Sequence, residues 1–127
     1  MAKPTYQDAD LILRLQELMI VSGADEAKDF LWSPQFSPEY HEFEKRYPVG
    51  SEGDIKVSKV CGFLETVGTL YKHGLLNDEL LFDWLAVGLV WKRVEEWARA
   101  RRDRSGEPRV FENFEAMARA SVEHDAR

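Results

Sequence analysis

Residues 60–97 constrain the fold more than any other part of this chain. Their sequence is VCGFLETVGTLYKHGLLNDELLFDWLAVGLVWKRVEEW, in which two apolar patterns of helical period flank a short turn. The second pattern contains almost no polar residue between Leu80 and Trp91. Apolar residues at helical spacing predict helices that bury one face, and a nearly unbroken apolar stretch predicts burial on most sides. We therefore expect a helical hairpin at the centre of a small all-α core.

The composition is that of one folded domain. The chain has 127 residues, of which 44% are hydrophobic and 12% are aromatic. A chain of this length buries roughly two thirds of the surface that it exposes when unfolded, which is enough for one packed core. We expect a single compact all-α domain over residues 1–127, with flexible termini at about 1–7 and 123–127. The domain should contain five or six helices, with a long helix over residues 77–104 at its centre.

The helix boundaries are predicted from apolar periodicity and from residues that start or stop helices. Asn77 is placed to cap the long helix, and Gly74 is placed to end the helix before it. Gly68 lies within the apolar stripe of that preceding helix, where the missing side chain would let another helix approach closely. The remaining helices are predicted over residues 8–21, 25–32, 38–46, 54–73 and 110–122.

Charge and cysteine content narrow the function classes. The formal net charge is −6, whereas nucleic-acid-binding domains normally carry an excess of cations that neutralise phosphates. Cys61 is the only cysteine, so an intramolecular disulfide is excluded and a reducing compartment is expected. The first ten residues show no secretory signal, and the longest apolar run is shorter than the roughly 20 residues that span a bilayer. We expect a soluble cytoplasmic protein without direct membrane insertion.

The predicted hairpin also carries a motif. The sequence resembles an uncharacterised bacterial domain family in which this region often reads Phe-x-Glu-x-x-Gly-x-Leu-x-x-x-Gly-Leu-Leu. The likeness covers roughly residues 11–117, and it implies an all-α fold with no known activity and no catalytic residue. Some members follow an N-terminal transmembrane helix, which this sequence does not show, so a membrane tether would require a partner protein. The matching positions are Phe63, Glu65, Gly68, Leu70, Gly74, Leu75 and Leu76.

Two carboxylates are the candidates for a polar site. Asp83 has apolar sequence neighbours, and a buried acid with a raised pKa could perform general acid–base chemistry. The competing interpretation is that Asp83 lies one turn inside a helix and is partly solvated or paired. Glu65 lies on the polar face of its helix, where a structural hydrogen bond or salt bridge to a neighbouring helix is the simpler role. Because no matching nucleophile or base accompanies either residue, we expect no enzymatic activity.

Metal, thiol and phosphate chemistry find little support in the sequence, and we expect no cofactor. His41 and Glu42 begin like a zinc-protease motif, but Lys45 stands where the second histidine is required. Cys61 lies on the apolar stripe and is expected to be a small core residue rather than a reactive thiol. The glycines do not assemble a phosphate-binding loop.

A basic tract ends the predicted long helix. Residues 92–109 contain seven basic and four acidic residues, whereas residues 1–54 contain five basic and eleven acidic ones. This asymmetry leaves three interpretations open. The tract is a solvated helix end, a surface for self-association with the acidic end, or a site for an anionic ligand or nucleic acid.

We expect a small protein-interaction or structural module, one form of which is a homodimer through the later part of the long helix. Trp97 should emerge into solvent there, and exposed aromatic residues mark interfaces. The alternative is a regulator that binds an anionic ligand or nucleic acid through residues 92–109. The candidate interface residues are Trp91, Val94, Trp97, Arg99, Arg101, Arg102 and Arg104.

Overall fold

A computed structural model describes residues 2–126 of the chain. Over these residues the chain forms an all-α domain with seven helices and no strand. The predicted fold class is confirmed, and the helix count is slightly above the expected five or six. The helices are α1 (Tyr6–Val21), α2 (Ala24–Leu31), α3 (Tyr40–Arg46), α4 (Glu52–Lys72), α5 (Asp78–Trp84), α6 (Val87–Ser105) and α7 (Glu112–Asp125).

The first and last helices extend further toward the chain ends than the sequence predicted. A capping box starts α1: the Thr5 hydroxyl accepts a hydrogen bond from the backbone N–H of Asp8, and the Asp8 carboxylate accepts one from the backbone N–H of Thr5. Helix α1 thus includes residues 6–7, and α7 continues over residues 123–125. The sequence had predicted flexible termini at both places. Residues 1 and 127 lie outside the described part of the chain.

The predicted long helix over residues 77–104 is wrong, because the chain forms two helices there. Leu85 ends α5 with extended backbone angles (φ −121°, ψ 127°), and α6 begins at Val87. The reason lies in the nearly continuous apolar sequence. Phe82 and Val87 are five positions apart, which would separate them by roughly 140° around a straight helix at about 100° per residue. The break turns both side chains into one core, where both are buried.

The central helix of the domain is α4, in place of the predicted long helix. It packs against α2 and α7, and α7 in turn packs against α6. Gly68 lies where α4 meets α7: a Cβ atom there would be 2.6 Å from the backbone oxygen of Asn113. The prediction that Gly68 lets another helix approach closely is therefore confirmed, and the approaching helix is α7. The predicted cap at Asn77 is also present, accepting a hydrogen bond from the backbone N–H of Leu80 at 3.1 Å.

A buried hydrogen bond joins the start of α4 to α6. Nε1 of Trp97 donates to Oδ1 of Asp54 at 2.8 Å, and Oδ2 of the same carboxylate accepts from the backbone N–H of Gly50 at 3.0 Å. Trp97 is 3% exposed and Asp54 is 6% exposed. A carboxylate removed from water requires such donors, because burying it without them is strongly unfavourable.

Gly68→Ala should destabilise the domain, because the new methyl group would meet the backbone of α7 rather than a side chain that can move. Overpacking of this kind costs about 1–3 kcal/mol. Gly62→Ala is the matched control, since it lies in the same helix and nothing lies within 4 Å of a Cβ atom there. The free energy of unfolding of the control should rise by up to about 1 kcal/mol, because alanine has a higher helix propensity than glycine. Urea unfolding measures both, and equal unfolding midpoints would contradict the role given to Gly68.

Trp97→Phe should lower the free energy of unfolding by about 2–4 kcal/mol, because it removes a donor from a buried carboxylate and leaves space in the core. The matched control is Trp84→Phe. Nε1 of Trp84 also donates to a side chain, Oε1 of Gln16 at 2.8 Å, but this pair is only partly buried and water can replace the lost donor. Thermal and urea unfolding compare the two variants. If Trp97→Phe lowers the free energy of unfolding no more than Trp84→Phe does, the buried hydrogen bond stabilises the domain no more than the partly buried one.

Candidate binding cleft at the break between α5 and α6

An apolar cleft lies beside the break between α5 and α6. Its volume is about 280 Å³, and five helices together with two connecting segments contribute to its walls. Lys28 is the one charged residue among those that line it. The lining residues are Met19 from α1, Ala24 and Lys28 from α2, Trp32 after α2, Val60, Phe63 and Leu64 from α4, Trp84 from α5, Leu85 and Ala86 from the break, and Val90 from α6.

The break between the two helices supplies one wall of the cleft. Leu85 is half-buried and Ala86 is exposed, and neither belongs to a helix. No side chain caps the start of α6. Instead, the backbone N–H of Gly88 donates to the hydroxyl of Ser121 in α7, at 3.4 Å. Helix α7 therefore helps to hold the start of α6 in the position that leaves the cleft open.

Two indole rings border the cleft. Trp84 is held by its hydrogen bond to Gln16 and by an edge-on contact with Phe63, whose ring centre lies 6.5 Å away. Trp32 lies just after α2 and is 50% exposed. The cleft thus has one fixed aromatic wall and one aromatic residue that solvent reaches.

Arg93 of α6 positions Trp32. Its Nε and Nη2 atoms donate to the carbonyl oxygen of Leu31 at 3.0 and 2.6 Å, where the C-terminal end of α2 favours a cation. The guanidinium carbon lies 5.0 Å from the centre of the Trp32 ring. Lys28 precedes Trp32 by four residues, and its Nζ lies 3.5 Å from a carboxylate oxygen of Asp25. One cation therefore lies against the exposed indole, and a second lines the same cleft.

The structure places the predicted apolar interface inside the domain. Trp91, Val94 and Trp97 all belong to the hydrophobic core. Trp91 packs edge-on against Phe114 of α7 at 5.0 Å between ring centres, and Trp97 lies 5.8 Å from Phe111. The expectation that Trp97 emerges into solvent is wrong, because α7 and the start of α4 cover this face of α6. These three side chains leave almost no apolar surface for a second copy of the chain.

Much of the basic tract binds the domain itself. Arg102 donates from Nε to the carbonyl oxygen of Val110 and from Nη2 to Oε1 of Glu115, both at 3.0 Å. Oε2 of Glu115 lies 2.7 Å from Arg119 and 3.7 Å from Arg99. Glu115 is 9% exposed. Three arginines therefore surround one nearly buried carboxylate, an arrangement that offsets the cost of removing its charge from water.

The two remaining arginines of the predicted interface differ in their surroundings. The guanidinium of Arg101 lies 5.3 Å from the centre of the Trp97 ring, and Arg104 is exposed in the last turn of α6. A further arginine of the tract, Arg93, lies against Trp32, which lines the cleft, and was not among the predicted interface residues.

The two candidate carboxylates lie in different places, and neither lines the cleft. Oε1 of Glu65 accepts a hydrogen bond from the backbone N–H of Phe114 at 2.9 Å, in the first turn of α7. This is the structural contact with a neighbouring helix that was expected for Glu65. Asp83 is exposed and borders a separate groove with Glu79 and His124. The interpretation of Asp83 as a buried acid is therefore wrong.

Cys61 is fully buried on α4, as predicted for a core residue. Burial raises the pKa of its thiol well above the usual range, and the positive charge of Arg101 opposes this only in part. Across residues 2–126, no three His, Cys, Asp or Glu side chains are arranged to hold a metal ion. Within the same residues, no helix is both long enough and apolar enough to cross a membrane.

Sequence reasoning missed the cleft. It assigned Leu85 and Ala86 to the interior of a long helix and gave Lys28 no role. The available signal was the apolar stretch over residues 80–91, which carries more apolar side chains than one face of a straight helix can bury. That excess indicates a bend or break, but it does not identify the residues that a break brings together.

A comparison with family models agrees with the resemblance predicted from the hairpin motif. The model described as "Domain of unknown function (DUF4760)" matches residues 4–121. No curated protein and no solved structure matches the chain. The matched residues include α1 to α6 and most of α7, and with them the whole lining of the cleft. The chain therefore belongs to the DUF4760 family of domains of unknown function.

Proposed function

We propose that this domain is a non-catalytic protein-interaction module that takes an apolar side chain of a partner protein into the cleft. The observation that carries this proposal is the half-exposed Trp32 at the edge of an apolar cleft. Binding hot spots are rich in tryptophan and combine a desolvated pocket with a surrounding rim. Apolar surface exposed around a concave site is typical of such interfaces.

The lining of the cleft favours recognition over catalysis. Ten of its eleven residues are apolar or aromatic, and Lys28 is the exception. A single lysine with no second acidic, basic or nucleophilic side chain among the lining residues defines no reaction. Leu89, which is 60% exposed, follows Ala86 by about one helical turn and extends the apolar surface along α6.

The proposed interaction site lies beside the start of α6, whereas the sequence predicted an interface along its later part. A homodimer through Trp91, Val94 and Trp97 is less favoured, because these side chains already pack within one chain. The anion-binding alternative is also less favoured, because Glu115 pairs with Arg99 and Arg102. We also propose a cytoplasmic location, which suits a chain with one cysteine that is buried and unpaired.

A random peptide library displayed on phage tests the proposal directly. Peptides selected on the wild-type domain should share one large apolar residue, because that side chain fills the cleft. Ala86→Phe should reduce their binding at least about tenfold, since Ala86 lines the cleft and is exposed, so that a larger side chain there occupies the same space. Affinities are measured by titration, with tryptophan fluorescence as a reporter from Trp32 and Trp84.

The matched control is Ala116→Phe, which places the same side chain at an exposed alanine of α7 that does not line the cleft. It should bind the selected peptides as the wild type does. Trp32→Ala is a second variant with a weakened rim, and it should also bind less tightly. The proposal is wrong if no peptide is enriched, or if Ala86→Phe and Ala116→Phe bind equally well while both remain folded by circular dichroism.

A further inference from the structure

We infer that the partner segment carries a carboxylate next to its apolar anchor residue, so that the cleft selects acidic–apolar peptides. This inference rests on the proposed function and specifies the chemistry of the partner. The observation behind it is the position of two cations: Lys28 lines the apolar cleft together with Trp32, and the guanidinium of Arg93 lies 5.0 Å from the centre of the exposed Trp32 ring.

The volume of the cleft limits the anchor to one large side chain. A cavity of about 150 Å³ is enough to hold benzene. At about 280 Å³, the cleft holds one large aliphatic or aromatic side chain, and the rest of the partner must lie outside it. The residues before and after the anchor therefore pass over the edge of the cleft, where Lys28 and Trp32 are found.

Arg93 is held in place by contacts within this chain, so no partner protein is needed to order it. Its hydrogen bonds to the carbonyl oxygen of Leu31 use Nε and Nη2, and its guanidinium lies near two rings, Trp32 at 5.0 Å and Phe36 at 5.1 Å. An arginine has five N–H donors, so donors remain for a carboxylate after these two bonds. A cation that is already ordered loses little conformational entropy when it binds an anion.

Lys28 has an internal partner that a carboxylate from outside can replace. Its Nζ lies 3.5 Å from Asp25, and the two side chains are 38% and 44% exposed. Exposed ion pairs of this kind contribute little to stability, so exchanging Asp25 for a partner carboxylate costs little.

The charge at the edge of the cleft is opposite to the charge of the whole chain. The chain carries a formal net charge of −6, which attracts basic peptides to the surface in general. A basic segment seated in the cleft would instead face Lys28 and Arg93 at short range. The cleft should therefore favour acidic segments, whereas the net charge of the chain favours basic ones. Because the two effects are opposite, a preference for acidic peptides can be assigned to the cleft.

A peptide array provides the test. Each peptide has a central Trp, Phe or Leu flanked on both sides by Glu, by Ser or by Lys, and all are titrated against the wild-type domain. Glu-flanked peptides should bind most tightly. Lys28→Glu should weaken them by about five- to twentyfold and should strengthen the Lys-flanked peptides, because the charge at position 28 is reversed.

Lys45→Glu is the control, since it makes the same change in net charge at an exposed lysine of α3 that does not line the cleft. It should change the affinities less than about twofold. Lys28→Gln removes the charge without reversing it. Its affinity for the Glu-flanked peptides should lie between those of the wild type and Lys28→Glu.

The two proposals fail in different ways. Peptides that bind the open cleft with no preference between Glu and Lys flanks, or with a preference for Lys, overturn the inference and leave the proposed function standing. Equal effects of Lys28→Glu and Lys45→Glu overturn it as well, because the preference would then reflect only the net charge. If no peptide binds the wild type at all, the proposed function fails and the inference fails with it.

Discussion

The close approach of α7 to α4 is the contact on which the rest of the domain depends. Because Gly68 has no side chain, the two backbones meet there, and Glu65 accepts a hydrogen bond from the backbone of Phe114 beside the contact. Helix α7 then offers its other side to α6, where Gly88 faces it closely and Trp91 packs against Phe114. The position of α6 is therefore set largely through α7, since α6 has few direct contacts with α4.

The break between α5 and α6 follows from this arrangement. Helix α5 buries Leu81 and Phe82, whereas α6 buries Val87 and Trp91. In one straight helix these four side chains would point in directions too widely spread around the helix axis to enter the same core. Neither glycine nor proline is needed, because Leu85 adopts extended angles that any residue allows. The gap that remains beside the break is lined by apolar side chains from both helices, so the cleft results from how the core is filled.

Local features of the fold were predictable from the sequence, and features that depend on distant residues were not. The cap at Asn77 and the stop at Gly74 are signalled by residues within one turn, and Gly74 indeed has a positive φ of 73°. The burial of Trp97 depends on Asp54, which is 43 positions earlier. No periodicity within α6 indicates that partner. The cleft was missed for the same reason, because it joins residues of α2, such as Lys28, with residues more than fifty positions later.

Charge patterns in a sequence are harder to interpret than apolar ones, because the chain itself can supply the counter-ions. The local excess of cations over residues 92–109 suggested a surface for anions, yet Arg99 and Arg102 lie around the nearly buried Glu115. Arg93 differs because its charge lies against the exposed ring of Trp32 rather than against a carboxylate. A cation next to exposed aromatic surface can contribute to recognition, since a partner that covers the indole must also meet the charge. The part of the tract that can contribute most to specificity is therefore its beginning, which is the part nearest the cleft.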